Sequence, residues 1–164
     1  MYRDTLSDSF RFNNHKVWTH PPNSQAFLIL EVLKQIHKEK NQFHNIEKAQ
    51  SSVISQMIQL GQSRDSYLKD YFQVLGSDTN YLCVVDQKGV GVSLVQSNTH
   101  GFGSHLILKE SGVFLHNRGL GFIKNNYDFC PRNNTRPPHT LCPLIVTKGD
   151  QLSTLLGTMG ADSQ

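Results

Sequence analysis

The chain has 164 residues, 37% of them apolar and 18% charged, with a net charge of +3. That length suffices for one domain with a core of its own, and the composition is that of a globular protein on the polar side. The small positive charge is spread along the chain, and no arginine-rich stripe interleaved with aromatics points to a nucleic-acid partner.

No window approaches the eighteen or so consecutive apolar residues of a membrane span. The opening Met1-Tyr2-Arg3-Asp4 lacks the apolar stretch of a signal peptide. The expectation is a soluble protein with no membrane partner, in a compartment that the sequence does not name.

In chain order, Phe10 to Trp18 reads as a short extended piece, and Pro21-Pro22 then breaks the chain. Asn23 or Ser24 can cap a helix running to about Lys38, with Phe27, Leu30, Val32, Leu33 and Ile36 as its apolar positions. Lys34, Lys38 and Lys40 gather near its end, where cations suit the macrodipole. A second helical pattern runs from Ile46 to about Leu75, with Val53, Ile54, Met57, Ile58 and Leu60 on its inner side and Gly61 within it.

After Gly76 the pattern changes. Tyr81–Val85 and Gly91–Gln96 form a predicted hairpin across Gln87-Lys88-Gly89-Val90. Val113–His116 is a predicted third strand, and the polar, proline-bearing stretch from Gly119 to Pro138 a long loop. Leu144–Thr147 and Leu152–Leu156 flank a Lys148-Gly149-Asp150 turn as a second hairpin. The reading is a helical zone over 1–78 and a strand-rich zone over 79–164. Helices beside an antiparallel sheet make the class α+β.

The three cysteines, Cys83, Cys130 and Cys142, cannot all pair with one another, and their spacing suggests no disulfide framework. Cys83 alternates with Val84, so it is expected to be buried and inert. Of the eight histidines, His15 and His20 lie five positions apart, as do His100 and His105, but without His-Glu-x-x-His or Cys-x-x-Cys company. No metal and no cofactor are expected. Asn133-Asn134-Thr135 is a glycosylation sequon, informative only in a secreted protein.

Thr79 carries the chemistry. It closes the polar stretch Gly76-Ser77-Asp78 and opens an apolar run, which places a hydroxyl at the lip of a strand. Most threonines there are simply β-formers. A threonine hydroxyl is a weak nucleophile until a base takes its proton, and a cut just before Thr79 would free an α-amine able to do so.

The surrounding blocks resemble the γ-glutamyltransferase (glutathione hydrolase) family around its processing site. They are Asp78 to Asp86, Val92-Ser93-Leu94-Val95-Gln96-Ser97, Gly101-Phe102-Gly103-Ser104, Ser111-Gly112-Val113-Phe114-Leu115 with Asn117-Arg118-Gly119, Arg136-Pro137-Pro138-His139-Thr140, Pro143-Leu144-Ile145-Val146 and Gly157-Thr158-Met159-Gly160, in the family's order. Upstream, Pro21-Pro22-Asn23-Ser24-Gln25 resembles the element that opens a family helix, and Arg64-Asp65-Ser66-Tyr67 resembles an element of a later one. From there to Gly76 the chain is much shorter than the family's usual connection.

The resemblance implies part of the αββα sandwich of N-terminal-nucleophile hydrolases. The zone 1–78 then corresponds to the end of the large subunit and 79–164 to the start of the small one, with the remaining part of the enzyme as a separate partner chain. It also implies self-cleavage after Asp78 and a small-molecule γ-glutamyl or other acid amide as substrate.

Site residues carry over one by one. Ser97 falls where the family has a threonine bonded to the nucleophile, and serine keeps the hydroxyl. Gly160 and Ala161 match the glycine pair that faces the oxyanion, with alanine in the second place. Thr99 stands where transpeptidases use asparagine. His139 and Thr140 replace the two serines that hold a substrate carboxylate, a version similar to the oxamate-amidohydrolase-like bacterial branch. Gly121 falls where an acidic residue holds the substrate ammonium, and Arg118 adds a cation that would instead welcome a carboxylate. The competing reading is an inactive remnant, or a binding protein, that kept the family's core.

Overall fold

The computed structural model describes residues 7–22, 24–39, 45–67, 79–124, 128–129 and 139–159. The first apolar stretch is a hairpin rather than one extended piece. Strands β1 (Asp8–Phe12) and β2 (His15–Thr19) pair from Asp8↔Thr19 to Phe12↔His15. Asn13-Asn14 forms the two-residue connection, and Asn13 takes a φ of 54°, a left-handed conformation that asparagine tolerates.

Strand β2 also pairs antiparallel with β7 (Leu144–Lys148), which pairs in turn with β8 (Gln151–Leu156). The resulting four-stranded sheet has the order β1-β2-β7-β8 and draws on both ends of the sequence. Two helices accompany it, α1 (Phe27–Glu39) and α2 (Ile46–Tyr67). Helices beside antiparallel sheets make the fold α+β.

The core lies where α1 meets the sheet. Val17, Leu30 and Leu144 are buried together, with Phe10, Ile29, Leu33 and Val146 packed on them. Helix α2 is capped by Asn45, whose Oδ1 accepts the Lys48 N–H at 2.9 Å. It meets α1 through polar contacts, in which the Glu39 carboxylate accepts bonds from the Ser52 hydroxyl at 2.9 Å and the Gln56 amide at 3.1 Å. The expected inner stripe of this helix is therefore corrected. Val53 and Leu60 are half-buried, but Ile54, Met57 and Ile58 are exposed, because α1 covers α2 along a polar line. Among the described residues no helix is long and apolar enough to cross a membrane.

Strands β3 (Thr79–Val85) and β4 (Gly91–Ser97) form the expected hairpin, with unbroken register from Thr79↔Ser97 to Val85↔Gly91. Asp86 closes its turn by accepting the N–H groups of Lys88 and Val90, each at 2.8 Å. One face approaches β8 closely at two glycines. A Cβ on Gly91 would collide with Leu152, and one on Gly157 would enter the ring of Tyr81. Ser93 joins the two elements, with its hydroxyl 3.0 Å from that of Tyr81 and donating to the Leu156 carbonyl at 3.3 Å. The other face leaves Leu82, Val84, Val92 and Leu94 exposed. Cys83 is exposed too, against the expectation of burial, because β8 lies against β4, at Gly91 and Ser93, more than against β3.

Val113–His116 is not a strand. It folds back on residues 104–108 through Ser104 N–H to Leu115 O (2.8 Å), Leu115 N–H to Leu106 O (3.0 Å) and one isolated bridge, Ile107↔Phe114. With no third strand to extend it, the arm stays a narrow loop pair. The predicted loop after Gly119 contains short structure, a 3-10 turn over Arg118–Phe122 and a small ladder of β5 (Ile123–Lys124) with β6 (Asp128–Phe129). The rest of that loop, 125–127 and 130–138, lies outside the described residues.

Burial separates two leucines of equal size. Leu30 is fully buried, so Leu30→Ala should cost about 3 kcal/mol in urea unfolding. Leu82 is exposed, and Leu82→Ala should change stability by no more than about 0.5 kcal/mol in the same assay.

Candidate active site

Thr79 and Ser97 face each other at the open end of the β3–β4 ladder. The Ser97 hydroxyl accepts the Thr99 N–H at 3.0 Å, which turns the chain sharply out of β4. Thr99 is buried at a φ of 83°, where a β-branched side chain is strained by on the order of 1–3 kcal/mol.

A carboxamide holds the next segment in place. Asn117 Nδ2 donates to the carbonyls of His100 (3.1 Å) and Gly103 (3.0 Å), and its Oδ1 accepts the His100 N–H (3.1 Å). Its backbone N–H bonds Asn98 O at 3.1 Å. These bonds tie His116 and Arg118 to the chain that leaves Ser97. The Arg118 N–H donates to His116 Nδ1 at 3.1 Å. Burial lowers the pKa of the Arg118 guanidinium, so its charge is partly stripped of water.

The opposite wall is His139-Thr140-Leu141, fixed by the entry to α1. The Gln25 N–H donates to His139 O at 3.0 Å, and the buried Ser24 hydroxyl donates to Leu141 O at 2.6 Å while accepting the Ala26 N–H at 3.1 Å. Behind this wall the Cys142 thiol donates to Thr140 O at 3.2 Å, and burial pushes its pKa up to about 12. It is therefore a neutral packing group.

These walls enclose a cavity of about 180 Å³. Thr79, Ser97, Thr99, Arg118, His139 and Thr140, all singled out in the sequence, line it together with His116 and Leu141. Gly160, Ala161 and Asp78 lie outside the described residues. His116 gave no signal in the sequence, because a histidine after a short apolar run reads as surface. Asn117 and Ser24 sat within quoted motifs, but nothing there showed that they act as clips. A wider cavity of about 480 Å³ beside Trp18, Pro143 and Ile145 shares none of the Thr79 pocket's residues. Among the described residues no group of three or more His, Cys, Asp or Glu is gathered to hold a metal.

A strand-initial threonine, a hydroxyl opposite it and a cation partly stripped of water thus meet in one cavity of an α+β frame. Residues 48–164 match the model of the gamma-glutamyltranspeptidase family, and the chain belongs to that family. Over 91 residues, 55% of this chain, it is 38% identical to the glutathione hydrolase-like YwrD proenzyme of Bacillus subtilis (strain 168). Over 88 residues it is 35% identical to the oxamate amidohydrolase proenzyme of Klebsiella pneumoniae. The aligned regions span 17% of each relative's length. The fold resembles the crystal structure of cephalosporin acylase from Bacillus halodurans, with a TM-score of 0.59 and 24% identity, covering 95% of this chain and 34% of that one.

Ser24→Ala removes the hydroxyl's bonds with Leu141 O and the Ala26 N–H and leaves the Gln25 N–H to His139 O bond in place. It should lower stability by about 2 kcal/mol in urea unfolding and reduce the hydrogen-exchange protection of Ala26. Cys142 sets a pH dependence of defined sign. Between about pH 9 and 12 the unfolded thiol ionises while the folded one stays protonated, so stability falls as pH rises. In Cys142→Ala that fall should be shallower, measured as the slope of unfolding free energy against pH.

Proposed function

We propose that this chain is an amide hydrolase or acyltransferase of the γ-glutamyltransferase kind, with Thr79 as its nucleophile after self-cleavage. One observation carries the reading: Thr79, Ser97, Arg118, His139 and Thr140 line a single cavity, although they come from distant parts of the sequence. Both of the bacterial relatives described above are named proenzymes, which supports a processed form.

In the precursor, Thr79 Oγ attacks the Asp78 carbonyl, and the Asp78–Thr79 amide bond gives way to an ester. Water hydrolyses the ester, leaving the Asp78 carboxylate and a free Thr79 α-amine. In the mature site this amine takes the hydroxyl proton as Oγ attacks the substrate amide. The proton passes to the departing amine, and an acyl-enzyme ester remains. Water, or an acceptor amine, then releases the acyl group and restores the hydroxyl. Ser97 orients the nucleophile, and the backbone N–H groups of Gly160 and Ala161 receive the developing oxyanion.

The substrate is an acid amide. Arg118 offers its charge to a carboxylate, and Gly121 supplies no acid for an ammonium. This favours a small amide of a dicarboxylic acid over a γ-glutamyl peptide, in line with the relative named oxamate amidohydrolase. The rest of the enzyme, as a further polypeptide, completes the reading.

Intact-mass measurement tests it. The wild-type chain should split into Met1–Asp78 and Thr79–Gln164, Thr79→Ala should stay whole, and Thr79→Ser should still be cut. Ser97→Ala should slow cleavage by about five- to ten-fold, the worth of one hydrogen bond. An uncut wild-type chain would leave a non-catalytic binding protein instead.

A further inference from the structure

The Thr79 cavity is small and one-signed. At about 180 Å³ it lies below the roughly 300–1,000 Å³ of sites that take drug-sized ligands, and suits a smaller one. Arg118, His116 and His139 line it, and no Asp or Glu does so among the described residues. Such a wall attracts an anion, and the withdrawal of water from Arg118 strengthens that attraction.

His116 has a fixed part in this wall. Its Nδ1 accepts the Arg118 N–H at 3.1 Å, a bond that the tautomer with its proton on Nε2 makes. The ring proton therefore sits on Nε2, and the edge turned away from the Arg118 backbone is a donor. The bond that fixes this tautomer comes from Arg118 itself. One residue thus offers a guanidinium to the ligand and orients the neighbouring imidazole through its backbone.

We infer that His116 is a specificity-determining residue of the Thr79 pocket: its Nε2–H, beside Arg118, receives the carboxylate of a small amic acid, a dicarboxylic acid with one end amidated. The inference rests on the amide-hydrolase reading for why such a ligand enters. A donor oriented by the Arg118 backbone holds a carboxylate beside the guanidinium. It bonds a carboxylate oxygen more strongly than the amide oxygen of a diamide of the same size, so it favours the charged ligand.

The test uses the full chain, with oxamate as the probe and neutral oxamide as the control. His116→Asn keeps an acceptor for the Arg118 N–H and removes the outer donor. His116→Gln places an amide donor near the position of Nε2. Wild type should bind oxamate saturably in calorimetry, His116→Asn at least ten-fold more weakly, and His116→Gln within about three-fold of wild type. Oxamide should bind the wild type more weakly than oxamate does, and its affinity should fall by less than about three-fold in His116→Asn.

Long-range ¹H–¹⁵N spectra of the wild type should show His116 protonated at Nε2, with that nitrogen shifting on oxamate addition. Equal oxamate affinity in His116→Asn, a proton on Nδ1, or no saturable oxamate binding overturns the inference. Intact mass on the same samples keeps the two claims apart. Cleavage without oxamate binding removes the role of His116 and leaves the hydrolase. His116-dependent binding to an uncut chain keeps the carboxylate site and removes the hydrolase.

Discussion

The site hangs on one buried hydroxyl. Ser24 Oγ, at the entry to α1, donates to Leu141 O and accepts the Ala26 N–H, and it has no exposure to water. A buried hydroxyl that lost either bond would incur a desolvation penalty of about 1–3 kcal/mol, so the loop, the helix start and the 139–142 segment hold one another in register. The same segment leads directly into β7, the strand next to β2 in the sheet. The core of Val17, Leu30 and Leu144 therefore positions His139 and Thr140 through β7 and through the Ser24 and Gln25 bonds to their segment.

The opposite wall follows the same logic with a different device. Asn117 ties residues 98–103 to His116 and Arg118 through its side chain. That clip helps keep Thr99 at a φ its side chain disfavours, because relaxing Thr99 would shift His100 away from both partners on Asn117. Strain next to a reactive residue is maintained by its surroundings when those surroundings over-determine the backbone. Here the Ser97 hydroxyl and the Asn117 carboxamide do so from either side.

Much of this was legible in the sequence, and the failures have physical causes. The β3–β4 hairpin and the β7–β8 hairpin were readable because apolar alternation and turn residues agree there. The β1–β2 hairpin was missed because Asn13-Asn14 lacks the glycine that usually marks so tight a turn. The inner stripe of α2 was misread, since periodicity shows an apolar face but not whether a neighbour covers it. Val113–His116 has strand-like composition, yet only one bridge partner, and a strand requires a ladder. Within the site, chemistry-bearing residues could be named from motifs. The tautomer of His116 and the clip at Asn117 depend on pairings between backbone groups that no linear pattern encodes.

The electrostatics of the cavity fit the proposed mature form. Cleavage at Thr79 would place a new α-amine at the start of β3, in the cavity that Arg118 also lines. A cation in the same enclosure disfavours a second positive charge, so the amine would be held in its unprotonated, proton-accepting form. A carboxylate-bearing substrate would partly cancel the Arg118 charge on entry and make the amine more willing to take the threonine proton. Substrate recognition and base strength would then be coupled through one side chain. A ligand without the carboxylate would find a weaker base as well as a weaker grip, and discrimination would extend from binding into the chemical step.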